Sequence, residues 1–339
     1  MSVRVHNRES YCFTGQFVLM SIVSSDIAKA AEILQQGGLV AIPTETVYGL
    51  AGNIFDEETI RKIFLVKQRP LFNPLIVHLH SREQLPQITE AIPPKAELLA
   101  EAFWPGPLTL VLKKKNLIPD LITAGKDTVA VRIPNHPVTL ELLRQLPFPL
   151  AAPSANPFNR ISPTSAAHVE AYFKDDIPMI LDGGPCERGI ESTIVGFEGD
   201  EPVVYRLGSV SREAIEAVVG RVQLRNKKEK APDAPGMLAK HYAPKTKLTL
   251  IEDPMTLHYL PEGKRIGVLS FAGEPVIHNA VHCEELSTTG DFTEAASKLY
   301  KALHDLDRMD LDLIVAKRLP DTDLGRSIND RLERAASDQ

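Results

Sequence analysis

Two cations, Lys67 and Arg69, stand two residues apart at the end of a helix-like pattern in which Ile60, Ile63 and Phe64 are apolar and Arg61 and Lys62 polar. Pro70 forbids a helix past Arg69 and biases Arg69 itself toward extended backbone. Residues two apart in extended chain share a face, so both cations are expected to point the same way, at the mouth of a strand. Two aimed cations suit a phosphate-rich ligand, and an arginine can grip two oxygens at once. Taken alone, the pair also reads as a solvated Lys/Arg pair after a surface helix. The strand at Leu75–Leu79 carries His78, which by itself reads as a satisfied core histidine.

Other residues change that weighting. Thr46, Arg69, His78, Arg132, Ser154, Asn156, Ser192 and Arg206 each sit just beyond an apolar strand, where α/β folds place ligands. Ser154 and Asn156 repeat the spacing of Lys67 and Arg69 and offer a hydroxyl and an amide. A cationic pair and a neutral pair could form a polyphosphate cradle, each charge-assisted contact contributing roughly 1.5–3 kcal/mol. In Val129–Pro134 the alternation turns Val129, Val131 and Ile133 to the core and Arg132 away from it.

Several chemistries lack their signatures. The chain has neither a Gly-x-x-x-x-Gly-Lys-Ser/Thr loop nor a Gly-x-Gly-x-x-Gly after a strand. Gly-x-Ser-x-Gly and a Cys/His nucleophile arrangement are missing, and Cys186 reads as a turn residue. His278, His282 and Cys283 mimic metal spacing but have no fourth ligand nearby. Lys113–Lys115 and Arg225–Lys230 read as solvated charge runs.

The elements that must hold these residues follow from the pattern. The chain has 339 residues, 43% hydrophobic and 24% charged, enough for two soluble domains. Its net charge of −6 restricts any nucleic-acid contact to a local patch. The three cysteines, Cys12, Cys186 and Cys283, are far apart, which points to a reducing, cytoplasmic setting. No run approaches a membrane span, and no signal peptide is read in residues 1–19. Helices are expected at Ile27–Leu34 (capped at Ser24-Ser25-Asp26), after Asp56, at Pro94–Phe103, His136–Leu146, Thr164–Phe173 and from Ser211 to Val219. Strands are expected at Leu39–Ile42, Leu75–Leu79, Leu108–Lys113, Phe148–Pro153, Met179–Leu181, from Glu191 and at Val203–Leu207, with Pro43–Leu50 as a polar turn. Periodicity fails from Gln223 to Lys245, as in a linker or functional loop. Strands at Leu248–Ile251, Ile266–Phe271 and Leu313–Ala316, with helices at Phe292–Leu306 and Ser327–Ala336, suggest a small α/β domain with a parallel sheet.

Together the motifs resemble the threonylcarbamoyl-AMP synthases of the YrdC-like family, in their two-domain form. The resemblance covers roughly residues 21–339: PTETVYGL (43–50), KQRP with NPLIVHL (67–79), FWPGPLTLVL (103–112), VAVRIPNHP (129–137), APSAN (152–156), GGPCERGIESTIV (183–195), RLGSV (206–210), PGMLAKHYAP (235–244) and GRSINDRLERAA (325–336). It implies an α/β fold: a twisted mixed sheet over residues 21–222 after an extension at 1–20, a linker or lid at 223–245, and a smaller Rossmann-like α/β domain at 246–339. It also implies that L-threonine, bicarbonate or CO2 and ATP, with Mg2+, yield threonylcarbamoyl-AMP and pyrophosphate. The adenylate then goes to downstream proteins that make threonylcarbamoyladenosine in tRNA. By motif, Lys67, Arg69, Ser154 and Asn156 are expected to be catalytic. Arg69, Asn73, Thr128, Ser154, Ser162, Arg206 and Tyr242 would hold ATP. Thr46, His78, Arg132, Ala152 and Ser192 would surround threonine. The metal ligands are left open, and the stretch with His241 and Tyr242 would be a lid. One rival is a carbamoyl transferase, which would carry zinc-finger and acylphosphatase-like modules. The other is a module that binds tRNA or other RNA without catalysis.

Overall fold

The computed structural model describes residues 22–225, 241–252, 263–273 and 280–336. The N-terminal extension, most of the linker, and His278 lie outside the described residues. The first eleven strands are β1 (Ile22–Ser24), β2 (Val40–Ile42), β3 (Gly49–Asn53), β4 (Ile76–His78), β5 (Leu108–Lys113), β6 (Thr128–Arg132), β7 (Leu150–Ala151), β8 (Met179–Leu181), β9 (Thr193–Glu198), β10 (Glu201–Arg206) and β11 (Gln223–Leu224). They form one mixed sheet in the order β1-β8-β2-β3-β7-β4-β6-β5-β9-β10-β11. The second sheet is β12 (Leu248–Ile251), β13 (Ile266–Ser270), β14 (His282–Glu285) and β15 (Leu313–Lys317), ordered β12-β15-β13-β14 with every pair parallel. No helix among the described residues is long and apolar enough to cross a membrane.

Alternation explains which residues reach the site. Leu39 and Ala41 join one apolar cluster and Val40 and Ile42 another, so this part of the sheet is covered on both faces and reads as a continuous apolar run. Further along, Val129, Val131 and Ile133 enter the main core while Ala130 joins a small cluster with Ile76, Ile194 and Tyr205 on the other face. Arg132 therefore faces away from the core, as the alternation requires. β4 and β6 are parallel and in register, with His78 beside Arg132, so both side chains emerge at the same strand ends.

Three local expectations change. The helix Glu57–Lys67 ends at Lys67, because Gln68 takes a left-handed conformation (φ 52°). The Arg69 amide then bonds the Phe64 carbonyl at 2.9 Å and the Gln68 amide the Leu65 carbonyl at 3.0 Å. This closure satisfies the last carbonyls of the helix, and it replaces the extended Lys67–Arg69 geometry inferred from Pro70. The presumed polar turn Pro43–Leu50 includes the start of β3, an antiparallel partner of β2. The last helix starts earlier than read, at Asp323.

The two domains share apolar contacts. Val47, Ile161, Ile190 and Tyr242 belong to the same buried cluster as Leu299, Tyr300, Leu303, Ile328 and Leu332.

Candidate active site

The cleft is built where strand ends converge. The loop between β2 and β3 supplies Thr44 and Thr46. The Thr44 hydroxyl donates to the Val47 carbonyl (2.6 Å) and accepts the amides of Thr46 (3.1 Å) and Val47 (3.2 Å). That local turn holds the Thr46 hydroxyl against Arg132 Nη1 at 2.9 Å. Arg132 Nε donates to the Gly106 carbonyl at 3.2 Å, and Nη2 lies 2.8 Å from the Glu45 carboxylate, a close ion pair without hydrogen-bond alignment. His78 Nδ1 is 3.3 Å from the Ile76 carbonyl, a geometry that favours a proton on Nδ1 and a bare Nε2. Burial, then the neighbouring Arg132, push His78 down to about 3, so it stays neutral.

The opposite wall holds Ser192 and Arg206. Ser192 Oγ lies 2.8 Å from the Thr109 hydroxyl and accepts from Arg206 Nη2 at 3.1 Å, and the Ser192 carbonyl accepts from Arg206 Nε and Nη2 at 3.1 and 3.0 Å. The pairing of β9 with β10 shifts register between Val204 and Arg206, an irregularity of the kind that re-aims a side chain. Gly208 lets this wall form: a Cβ there would stand 2.4 Å from backbone atoms of Ser192 and Thr193.

Nine of the expected residues line one cavity: Thr46, Arg69, His78, Arg132, Ala152, Ser154, Ser192, Arg206 and Tyr242. Its volume is about 50 Å3, and it is partly open to solvent. His241 and Tyr242, both buried, lie among its walls.

Five expected residues do not line it. Lys67 is 1% exposed, and its Nζ donates to the carbonyls of Ser154 and Asn156. Two of its three donors thus hold the turn that presents Ser154. Asn73 is buried behind Pro74, with neither side-chain amide atom hydrogen-bonded, and Asn156 Oδ1 is likewise without a partner. Ser162 Oγ donates to Glu191 at 2.6 Å. Thr128 begins β6 at the end opposite Arg132, about 13 Å away along the strand, so the structure does not bring it to the cleft.

Two acids went unread. Glu45 lies behind Arg132 and Glu191 lines the cleft, both at most 5% exposed. The available signal was a carboxylate directly beside a site residue (Thr46, Ser192) in an otherwise apolar and hydroxyl-rich stretch; such a group must find a cation if buried.

The cleft is crowded with positive groups. Burial, then the Arg206 charge, push Arg69 down to about 9, and burial lowers Arg206. Burial and then Arg69 lower Lys67 strongly. Burial, followed by Arg69, Lys67, Arg206 and Arg334, keeps His241 well below its usual range. Such a site is arranged to receive an anion.

Comparison with known proteins agrees with this architecture. A family model for Sua5, YciO and YrdC proteins, described as Telomere recombination, matches residues 32–208, and one described as Threonylcarbamoyl-AMP synthase, C-terminal domain, matches residues 210–337. The chain is 40% identical to the threonylcarbamoyl-AMP synthase of Pyrococcus abyssi over 91% of its length and 93% of that protein. It is 40% identical to the enzyme of the same name from Bacillus subtilis, over 94% of each chain. The crystal structure of P. abyssi Sua5 complexed with L-threonine superposes with a TM-score of 0.88 at 39% identity, covering 93% of this chain and 98% of that one. With both domains matched in order over nearly the whole chain, the protein belongs to the Sua5, YciO and YrdC family, in the branch that carries the second, C-terminal domain.

Proposed function

We propose that the protein is an L-threonylcarbamoyl-AMP synthase: threonine, bicarbonate or CO2 and ATP become threonylcarbamoyl-AMP and pyrophosphate. The observation that carries this reading is one buried cleft that brings two sets of groups together. Arg69, Arg206 and Ser154 supply two cations and a hydroxyl. Thr46, His78, Arg132 and Ser192 supply a fixed guanidinium, two hydroxyls and a neutral imidazole, with Ser192 standing on the Arg206 wall.

In this reading Arg132 receives the threonine carboxylate, and the neutral His78 accepts a hydrogen bond near the amino acid. The threonine amine, once deprotonated, attacks CO2 to give a carbamate. A carbamate oxygen then attacks the α-phosphorus of ATP, the bond to the bridging oxygen breaks, and pyrophosphate leaves. The chain need supply no nucleophile of its own: alignment can contribute on the order of 7–11 kcal/mol, and oriented cations stabilise the charge on the phosphates. Asn73 and Asn156 do not line the cleft, but their buried amide atoms without partners would take ligand hydrogen bonds as it opens. Ser162 also supports the site through Glu191, to which its hydroxyl donates.

No group of three or more His, Cys, Asp or Glu side chains among the described residues could hold a metal. In this reading Mg2+ enters with ATP, ligated mostly by phosphate oxygens and water. On the same reading His241 and Tyr242, which stand among the walls of the cleft, swing out for the nucleotide to enter. Their return would exclude water and protect the carbamate. The product passes, in the cytoplasm, to proteins that transfer the threonylcarbamoyl group to tRNA.

The test is pyrophosphate release by the purified chain with ATP and Mg2+. Release that requires both L-threonine and bicarbonate is the expected result, with at least hundredfold loss in Arg69→Ala. Release with neither co-substrate, or none at all, would sink the reading.

A further inference from the structure

We propose that Glu191, Tyr300 and Arg331 form a latch by which the second domain positions Tyr242 and the Ser192–Arg206 wall, a role that rests on the synthase reading. Glu191 belongs to the first domain. Its carboxylate accepts from the Tyr300 hydroxyl at 2.9 and 3.0 Å and from Arg331 Nε and Nη2 at 3.2 Å each, both residues of the second domain. It also accepts from Ser162 Oγ at 2.6 Å. The Arg331 side chain is fully buried. Its Nη1 also reaches Asp330 at 3.2 Å and the Ser327 carbonyl at 3.4 Å.

Such a pair does little for stability. Removing two charges from water offsets most of their attraction, and well-packed apolar residues often do as well or better. Its geometric consequence is more specific. The Arg331 guanidinium carbon lies 5.4 Å from the centre of the Tyr242 ring, and the Tyr300 ring is 5.7 Å from that ring. Tyr242 itself has a left-handed backbone (φ 63°), a conformation a bulky residue holds only when its surroundings impose it. On the first-domain side the same segment is held by Ala243 N to the Asn159 carbonyl at 2.8 Å and by Arg160 Nη1 to the Pro244 carbonyl at 3.2 Å.

Glu191 also immediately precedes Ser192. Its own carbonyl accepts the Ser209 amide at 3.0 Å and the Ser209 hydroxyl at 3.2 Å. The carboxylate that meets the second domain and the backbone that carries Ser192 are thus one residue. A shift of the final helix, Asp323–Ala336, would move Arg331 and with it both the aromatic cover and this wall. Glu191, Tyr300 and Arg331 are positioning residues: their effect passes through Tyr242, Ser192 and Arg206.

The experiment uses the full chain and four variants: Glu191→Gln/Arg331→Met, Tyr300→Phe, Arg331→Met and Arg331→Lys. ATP dissociation constants are measured by calorimetry, which does not depend on turnover. KM and kcat come from pyrophosphate release, and thermal midpoints report folding. The double variant removes both charges together; it is expected to stay folded and to bind ATP at least tenfold more weakly. Arg331→Lys is expected to recover part of the affinity lost in Arg331→Met. A folded double variant with wild-type ATP affinity and KM would overturn the latch. If the double variant does not fold, Tyr300→Phe decides, since it removes only a hydroxyl: about threefold weaker ATP binding supports the latch and unchanged binding overturns it. Failure of wild-type protein to release pyrophosphate would overturn the synthase reading instead, and the calorimetric comparison would still judge the latch.

Discussion

Arg132 commits its guanidinium to three places at once: the Thr46 hydroxyl, the Gly106 carbonyl and the Glu45 carboxylate. A lysine there can keep one charge contact but not the planar fork. Arg132→Lys is therefore expected to raise the threonine KM at least tenfold and leave the ATP KM within about twofold; equal increases in both would show that Arg132 does not serve threonine. Arg132→Met should do more harm, because it strands the Glu45 carboxylate in a buried position, a loss of about 3–5 kcal/mol, visible as a lower thermal midpoint. Lys67 acts at one remove. Its ammonium ties together the carbonyls of Ser154 and Asn156, so Lys67→Met keeps the volume and releases the turn. Misplacement by about 1 Å can cost on the order of a hundredfold. A hundredfold fall in kcat/KM for ATP is expected in that variant, and activity within threefold of wild type would mean that the turn holds its shape unaided.

At the level of elements, the cleft depends on two chain segments passing closer than side chains allow. The Gly208 backbone lies against Glu191, Ser192 and Thr193. Gly208→Ala must push that wall apart, and overpacking of this kind costs about 1–3 kcal/mol. A lower urea midpoint and a raised threonine KM are expected together; an unchanged midpoint would show that the strands slide apart without strain. Much of this scaffold was legible in advance. Asp26, Asp56 and Ser211 cap helices as their positions suggest, and β5 spans Leu108–Lys113 as the apolar run indicates. The misreadings have physical causes. β3 reads Gly-Leu-Ala-Gly-Asn, with two glycines that look like turn residues but allow close backbone approach: a Cβ at Gly49 would stand 3.1 Å from that of Ala152. The helix stop at Gln68 needs a left-handed glutamine, which no local rule favours over the following proline. Lys67 was identifiable as important, but its partners are carbonyls 87 and 89 residues away, beyond any spacing argument. Glu191 could be noticed beside Ser192, but its partners Arg331 and Tyr300 lie in another domain, beyond any spacing argument.

Across the whole molecule, the contact between domains is also a contact between titratable rings. His168 of the first domain and His304 of the second stack with centroids 3.9 Å apart. His304 Nε2 lies 3.2 Å from the Ser162 carbonyl, and the Thr164 amide donates to His168 Nδ1 at 3.3 Å. Burial pushes His168 down to about 4, with Arg308 and Lys301 adding to the effect and Asp305 opposing it. Burial, then His168, Arg308 and Arg160, push His304 down to about 3, the Ser162 carbonyl opposing. Both rings are neutral in the folded protein, whereas in the unfolded chain each takes a proton near pH 6.5. The unfolded state therefore binds more protons once the pH drops below about 6.5. The resulting loss of stability accumulates until the folded rings protonate, between about pH 4 and 3, at up to about 1.4 kcal/mol per pH unit for each ring. Above pH 6.5 the pair contributes no pH dependence. The expected result is a thermal midpoint that falls on going from pH 7 to pH 5.5, and falls less in His168→Gln/His304→Gln, whose side chains do not titrate. The comparison of slopes, rather than of absolute midpoints, isolates protonation from the packing lost in the variant. Identical slopes would show that the interface tolerates two imidazolium rings.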